Sequence, residues 1–177
     1  MRIALVSDTH LAARAAVCLD NWRVVRTWIE RARPDLVVHL GDITVDGASD
    51  AVELREALDA FTCLDVPTGP RDRLLAIVRS RALRFVVSGH THQSRRHVCG
   101  GVEHRWAPST AFCLPDGMQE RIGEKEVGLL MLMLDGTDHR FAMARPEGLR
   151  RNNILDHPEL YPGLAELRAA LGSSAVL

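Results

Sequence analysis

The sequence predicts an α/β fold built around parallel strands. In the first half of the chain, short apolar runs that end in polar turns alternate with longer segments of helical periodicity. This order of strand, helix, strand, helix and then helix, strand is typical of parallel α/β architecture. The second half has a different pattern, with extended, glycine-punctuated segments and a hairpin signal.

Three apolar runs predict buried strands, at residues 2–7, at about 36–40 and in the segment "RFVVSG". Helices are predicted at about 12–33, 50–60 and 71–82. In the first of these helices, one apolar face repeats at helical spacing, and the next two residues, Pro34 and Asp35, end it. That face consists of Cys18, Trp22, Val25 and Ile29.

The second half predicts mainly strands. The stretch "HVCGGVEHRWAPSTAF" has an extended character, and "VGLLMLMLDGTDHRFAMARP" predicts a β-hairpin around the turn 135–138. The stretch "PGLAELRAALG" predicts a last helix, with Pro162 near its start and Gly172 after its end.

Composition excludes several classes of protein. A length of 177 residues predicts one domain, and 22 basic against 23 acidic residues give a net charge of −1. The sequence shows no excess of positive charge that would indicate a nucleic-acid or membrane partner. The four cysteines, Cys18, Cys63, Cys99 and Cys113, show no C-x-x-C spacing. We expect reduced thiols in a cytoplasmic protein.

Polar groups follow each of the three predicted strands at its carboxyl end. Asp8 and His10 follow the first strand, Asp42 follows the second, and His90 and His92 follow the third. Since ligands of open parallel sheets bind beyond the carboxyl ends of the strands, we expect these groups to converge. Carboxylate and imidazole ligands together suit Mn, Fe or Zn. Each motif alone is weak evidence, and the three in order are strong evidence.

The remaining histidines carry less information. His39 lies inside the second strand, and we expect a hydrogen-bonded core histidine there rather than a support for the site. The others have no carboxylate at ligand spacing, so we expect them to be structural or exposed; they are His97, His104, His139 and His157.

With these motifs, residues 2–145 resemble the calcineurin-like metallophosphoesterases, and most closely their bacterial cyclic-nucleotide-phosphodiesterase-like branch. Asp8 and His10 match the family's D-x-H, Gly41-Asp42 matches its G-D, and Gly89–His92 matches its G-H-x-H. The resemblance implies a four-layer α/β/β/α sandwich of two mixed sheets flanked by helices. Residues 94–145 would then form a second sheet packed on the first.

The resemblance also implies a cofactor of two divalent transition metals, Mn, Fe or Zn. The first metal would be held by a complete set of four ligands, and Asp42 would bridge to a second metal that His90 also binds. A metal-activated hydroxide would attack the phosphoester. The four ligands of the first metal would be Asp8, His10, Asp42 and His92.

One family motif, G-N-H-D or G-N-H-E, is not present. Its Asn binds the second metal, its His helps to protonate the leaving group, and a further His elsewhere completes the second metal. Between Asp42 and His90 this chain has no histidine and no asparagine. The nearest stretch, "TGPRD", would place Pro70 and Arg71 at those positions. Proline cannot coordinate through its side chain, and arginine stays a cation.

Two explanations follow from the missing motif. Either this is a degenerate member with one intact metal site, or a segment of several dozen residues is missing around 61–66. We expect the second explanation, with residues 1–177 forming a single metallophosphoesterase domain that lacks this segment. The jump from "DAF" to "LDVPTGPRD" resembles two parts of the family that an active-site segment normally separates.

The leading functional hypothesis is a metal-dependent phosphoesterase acting on a phosphomonoester or phosphodiester. Its partner would be a small substrate such as a cyclic nucleotide, with no membrane or nucleic acid involved. The alternative is a non-catalytic or degenerate protein of the same fold that acts as a binding scaffold. A nucleotide-binding domain without metal has little support, because the sequence contains neither a G-x-G-x-x-G motif nor a Walker loop. The catalytic residues cannot be named from the sequence.

Overall fold

A computed structural model of the chain describes residues 1–46, 52, 55, 84–99 and 101–177. The described strands are β1 (Arg2–Val6), β2 (Leu36–His39), β3 (Phe85–Ser88), β4 (Arg95–Cys99), β5 (Val102–Trp106), β6 (Phe112–Cys113), β7 (Leu129–Asp135), β8 (Asp138–Ala144) and β9 (Asn152–Asn153). The helices with both ends in the described ranges are α1 (Ala16–Ala32) and α2 (Leu164–Leu171), and 3-10 turns lie at Ile154–Asp156 and Gly172–Ala175.

The first sheet has the strand order β2-β1-β7-β8. Strands β1 and β2 are parallel, with Ile3 opposite Leu36 and Val6 opposite His39. The hairpin β7–β8 adds to the other side of β1 in antiparallel orientation. The sheet is therefore mixed, and the carboxyl ends of β1 and β2 lie side by side.

The second sheet has the strand order β3-β5-β4. Strand β3 is parallel to β5, and β5 is antiparallel to β4, so this sheet is also mixed. A short parallel pair, β6–β9, stands apart from both sheets.

Alternate side chains of β1 face opposite sides of the sheet and pack into two separate core layers. Ile3 and Leu5 face a cluster that includes Phe85 and Val87 of the second sheet. Ala4 and Val6 face the opposite way and pack with the buried residues of α1, namely Trp22, Val25 and Ile29. The described residues thus form α/β/β layers, which confirms the predicted mixed two-sheet α/β class.

Two expectations about elements need correction. Helix α1 begins at Ala16 rather than near residue 12, because Leu11 is still extended and bridges to Thr44. The segment 94–145 does not form a second sheet by itself. Its hairpin β7–β8 joins β1 in the first sheet, and its strands β4 and β5 combine with β3. An antiparallel hairpin can add to either sheet, and local periodicity does not distinguish the two.

Several expectations lie outside the described residues. These are most of the predicted helix at 50–60, the helix at 71–82, the "TGPRD" stretch and the missing segment around 61–66. Val52 and Arg55, which the structure does describe, are both helical. No helix within the described ranges is long and apolar enough to cross a membrane.

A buried asparagine fastens α1 to the segment that leads into the site. Asn21 is 1% exposed, and its Nδ2 donates to the carbonyl oxygens of Ala111 at 2.9 Å and Arg150 at 2.8 Å. Its Oδ1 accepts from the Arg150 amide at 3.0 Å. This side chain therefore joins α1 to the main chain of two loops, and the Ala111 carbonyl accepts a further hydrogen bond from Asn152 Nδ2 at 3.1 Å.

We expect Asn21→Ala to lower the free energy of unfolding by about 2–3 kcal/mol, because it leaves the polar groups of Arg150 without partners. Urea unfolding followed by circular dichroism measures this change. Thr27→Val, which removes an exposed hydroxyl from the same helix, serves as the control and should change stability by less than about 0.5 kcal/mol. Equal effects of the two substitutions would contradict the anchoring role of Asn21.

Candidate metal centre

The loops after β1 and β2 run side by side beyond the strands. The amide of Asp8 donates to the Gly41 carbonyl, and the amide of His10 donates to the Asp42 carbonyl, both at 3.1 Å. These bonds continue the parallel pairing of the two strands past their ends. They bring the D-x-H and G-D motifs together although the motifs are more than 30 residues apart in the chain.

The loop after β3 reaches the same place from the second sheet. The amide of His90 donates to both carboxylate oxygens of Asp8, at 3.0 and 3.1 Å. The three strand ends therefore meet, but they belong to two sheets and not to one parallel sheet. We call the five side chains gathered here the ligand set: Asp8, His10, Asp42, His90 and His92.

The ligand set shares an unusual backbone conformation. Six described residues other than glycine have a positive φ, and five of them are the ligand set, with φ between 45° and 70°. The sixth, Arg33, ends α1. The left-handed conformation costs roughly 1–2 kcal/mol for such residues and persists only where the surroundings impose it. Such strain clusters at functional sites.

Two glycines make these turns possible for different reasons. Gly41 has a φ of +115°, which strongly favours glycine, and a Cβ there would meet no atom within 4 Å. At Gly89 the limit is space, because a Cβ would lie 1.9 Å from Ser7 Oγ and 3.2 Å from Asp8 Oδ2. Gly89 thus lets the β3 loop approach β1 closely enough for the His90 amide to reach Asp8.

The first triad, Asp8, His10 and His92, is buried. These residues are 0%, 8% and 5% exposed, and one ligand atom of each lies within 4.8 Å of the others. The Nε2 atoms of His10 and His92 face each other at 3.2 Å. Asp8 Oδ1 lies 3.6 Å from His92 Nε2. Two imidazole nitrogens and a carboxylate oxygen therefore point at one volume.

The second triad, Asp8, Asp42 and His90, is more open. His90 Nδ1 and Asp42 Oδ2 are 2.7 Å apart, and the two side chains are 87% and 37% exposed. Asp8 is common to both triads, whereas Asp42 shares a triad with His90 and not with the other two histidines. The resemblance assigned the bridging role to Asp42. By proximity Asp8 occupies the shared position, and bridging by Asp42 stays a prediction.

Burial controls the charge of the first triad. It lowers the pKa of His10 to about 3 and also lowers the pKa of His92, so both imidazoles are neutral at pH 7. Burial raises the pKa of Asp8, although His92 opposes this effect. Neutral imidazoles are the form that binds metals.

The second triad has the opposite tendency. The hydrogen bond to Asp42 raises the pKa of His90. Burial by itself would raise the pKa of Asp42, but hydrogen bonds from His90 and Asp8 hold it below its ordinary value. Each of these two shifts favours the charged form, so His90 and Asp42 stabilise each other as an ion pair.

The first triad fits a divalent transition metal. The Nδ1 of His92 faces the Phe112 carbonyl oxygen at 3.0 Å, and because a carbonyl only accepts, this Nδ1 carries the proton. The Nε2 lone pair of His92 therefore points at His10 and Asp8. Two nitrogens bound to one tetrahedral zinc lie about 3.4 Å apart, close to the 3.2 Å observed between the Nε2 atoms.

His39 supports the two loops and lies outside both triads. Its Nδ1 accepts from the Gly41 amide at 3.1 Å, which leaves the proton on Nε2 for the Thr9 hydroxyl, also at 3.1 Å. The Thr9 hydroxyl in turn donates to the Ile43 carbonyl at 2.9 Å. His39 is thus a hydrogen-bonded histidine that links the D-x-H and G-D loops, and burial lowers its pKa to about 4.

Sequence reasoning missed the residues behind the ligands. The hydroxyl of Tyr161 lies 2.7 Å from His10 Nδ1, and the Ser109 hydroxyl donates to the Asp8 carbonyl at 2.9 Å. Gln93, next to His92, is fully buried and holds the loop 119–123 through its amide group. No local pattern marks these residues, since their partners are distant in sequence.

The remaining histidines lie elsewhere, as expected. His139 pairs with Glu103 and His157 with Glu159, both at 3.3 Å. His97 and His104 face each other across β4 and β5, with ring centroids 6.3 Å apart. Within the described ranges, none of the four belongs to a group that could hold a metal.

Comparison with known families agrees with this geometry. Residues 1–77 match the family model of the calcineurin-like phosphoesterases. The match covers less than half of the chain, so it is a similarity of the N-terminal part to this family. The matched part contains D-x-H and G-D, and the structure adds the G-H-x-H motif of His90 and His92 to the same place. No curated protein matches the chain significantly.

Among solved structures, the chain is similar to a predicted phosphoesterase from Streptococcus pneumoniae, at 17% identity and a TM-score of 0.49, covering 92% of this chain and 93% of that one. It is also similar to the phosphoesterase Yfce of E. coli, at 14% identity and a TM-score of 0.48, covering 85% of this chain and 100% of that one. A third similar structure is the zinc complex of Vps29 from Entamoeba histolytica, at 13% identity and a TM-score of 0.47, covering 81% of this chain and 98% of that one. These structural similarities are weak, and the match to the family model is confined to residues 1–77.

We expect Gly89→Ala to lower the free energy of unfolding by about 1–3 kcal/mol, since its Cβ would overlap Ser7 Oγ. Removing that oxygen in the double variant Gly89→Ala/Ser7→Ala should restore part of the loss. Thermal unfolding of the two single variants and the double variant measures the coupling. Strictly additive effects would show that the close approach at Ser7 does not limit residue 89.

The lowered pKa of His39 predicts that the stability of the folded chain depends on pH. Its pKa is about 4 in the folded chain and 6.5 ordinarily, so below pH 6.5 the unfolded chain binds a proton that the folded chain does not. Stability should therefore fall as the pH is lowered from 6.5 to 4, by up to about 1 kcal/mol per pH unit from this residue. Urea midpoints in EDTA at several pH values measure the slope. His39→Gln should flatten it, and parallel slopes would contradict the assignment.

Proposed function

We propose that this chain is a metal-dependent phosphoesterase that hydrolyses a phosphomonoester or a phosphodiester. The observation that carries the proposal is the convergence of the ligand set, in strained backbone, at the ends of three strands. Residues 1–77 match the model of a phosphoesterase family, which supports this class of reaction. The scaffold alternative does not by itself account for five strained residues whose side chains converge.

Each of the two triads would hold one divalent metal. The buried first triad would hold one divalent metal through Asp8, His10 and His92, and the more exposed second triad would hold another beside solvent. Bound metals supply Lewis-acid activation of a water and of the phosphoester oxygen. His90 lies at the open side, so a substrate would enter past it. Asp8, common to both triads, would fix the two parts of the site relative to each other.

The chain's own residues leave one role open. The leaving group of a phosphoester needs a proton, which in the family comes from the histidine of the fourth motif. Since no histidine lies between Asp42 and His90, the proton here would come from another group or from solvent. A substrate whose leaving group departs readily would tolerate this loss, so we propose activated esters as the best substrates of the chain.

A binding scaffold with one metal site is the second candidate. The observation that favours it is the small second triad, to which, among the residues that the structure describes, only Asp42 and His90 contribute besides the shared Asp8. A scaffold would bind a metal at the first triad without turnover. We further propose a cytoplasmic location, because Cys18 and Cys113 are buried free thiols and reduced thiols persist there.

We expect wild-type protein loaded with Mn²⁺ or Zn²⁺ to hydrolyse p-nitrophenyl phosphate, bis-p-nitrophenyl phosphate or a 2′,3′- or 3′,5′-cyclic nucleotide. Asp8→Asn should reduce kcat/KM by more than about 100-fold, because even the loss of a partner behind a ligand costs 10- to 100-fold. Asp135→Asn, which changes an exposed carboxylate at the β7–β8 turn, serves as the control and should leave the rate unchanged.

The same assay separates the two candidates. Turnover that requires metal and Asp8 supports the phosphoesterase. Tight metal binding without turnover on any of these substrates would contradict it and favour the scaffold. Turnover that survives Asp8→Asn would show that the activity belongs to a contaminant or to another site.

A further inference from the structure

The two histidines of the first triad have different partners behind them. His92 Nδ1 faces a main-chain carbonyl, that of Phe112, which can only accept a hydrogen bond. His10 Nδ1 faces the hydroxyl of Tyr161 at 2.7 Å, which can donate or accept. The protein thus fixes the tautomer of His92 and allows either tautomer of His10, because a hydroxyl can pair with both.

Tyr161 reaches His10 from the C-terminal part of the chain. It lies between the 3-10 turn Ile154–Asp156 and α2, and it packs against the cluster that contains Leu160 and Phe112. Its ring stands edge-on to His10, with an angle of 82° and a centroid distance of 6.2 Å. The aromatic ring is therefore held by packing, and the hydroxyl is presented to the side of His10 that faces away from the triad.

We propose that Tyr161 is a positioning residue that can pair with either tautomer of His10 and thereby supports the affinity of the first triad for a divalent cation. The inference rests on the metal site of the proposed function and adds the group that controls it. Tyr161 contacts His10 from behind, so it acts through His10 and not on a substrate.

The hydroxyl can satisfy His10 both with and without a cation. Without one, the Nε2 atoms of His10 and His92 lie 3.2 Å apart, and since His92 Nε2 carries a lone pair, the proton between them belongs to His10. His10 Nδ1 is then an acceptor, and Tyr161 donates to it. With a cation bound, His10 Nε2 must offer its lone pair, so the proton moves to Nδ1 and Tyr161 accepts it. No proton is gained or lost by the imidazole.

The substitution Tyr161→Phe keeps the ring and removes this adjustable partner. His10 could then bind a cation only with a buried Nδ1–H that has lost its acceptor. We expect the affinity for Zn²⁺ to fall about 10- to 100-fold, the usual cost of losing the partner behind a metal-binding histidine. Isothermal titration with Zn²⁺ measures it, and Thr27→Val, which removes an exposed hydroxyl from α1, serves as the control and should bind like wild type.

A second measurement uses the wild-type protein and does not depend on the variant folding. The chain contains a single tyrosine, so protein made with [13Cζ]tyrosine gives one resonance that needs no assignment. We expect this resonance to move when Zn²⁺ binds, because the hydroxyl changes from donor to acceptor. A tyrosine that only fills space would give no such shift.

The outcomes distinguish this inference from the function on which it rests. If wild type binds no Zn²⁺, both are wrong. If wild type binds Zn²⁺ but Tyr161→Phe binds it equally well, or the tyrosine resonance stays in place, the metal site stands and the role of Tyr161 is refuted. Reduced affinity together with a shifted resonance supports both.

Discussion

The left-handed backbone at the ligand positions is the constraint on which the rest of the site depends. A single strained residue could be accidental, but all five members of the ligand set share this conformation. Each costs free energy that the neighbouring structure must offset. The offset comes from the loops themselves: the amides of Asp8 and His10 continue the β1–β2 ladder, and His39 links the two loops.

Burial adds a second cost at the same place. The first triad puts a carboxylate and two imidazoles where water does not reach, and it lets two Nε2 atoms face each other. A folded chain tolerates this arrangement by keeping both imidazoles neutral. A divalent cation would satisfy the same atoms at once, since carboxylate and neutral imidazole are ligands that Mn, Fe and Zn accept. Strain and desolvation therefore point to one ligand class.

Much of the site was predictable because each of its motifs can be recognised from a short stretch of sequence. Each motif follows a strand, and a strand's carboxyl end can be located from an apolar run and the polar turn after it. His90 and His92 lie beside Asp8 as predicted even though β3 belongs to a different sheet from β1, and their role as metal ligands stays a prediction. Convergence required only that the strand ends meet, and the sandwich supplies this as well as a single sheet would.

The parts that could not be predicted depend on long-range pairing. The placement of β7 beside β1 is a choice between two sheet edges that local periodicity does not encode. Tyr161 is 151 residues from His10, and its segment of prolines and polar residues carries no sign of a partner. His39 was expected to be a hydrogen-bonded core histidine rather than a support for the site. It is half-buried and hydrogen-bonded, and its contacts with Thr9 and Gly41 also support the two loops.

The central claim is that the first triad is a metal site, and anomalous X-ray scattering from crystals grown with Mn²⁺ tests it most directly. The account predicts an anomalous peak within bonding distance, about 2.0–2.3 Å, of Asp8, His10 and His92. A peak elsewhere on the protein, with this triad empty at saturating Mn²⁺, would contradict it.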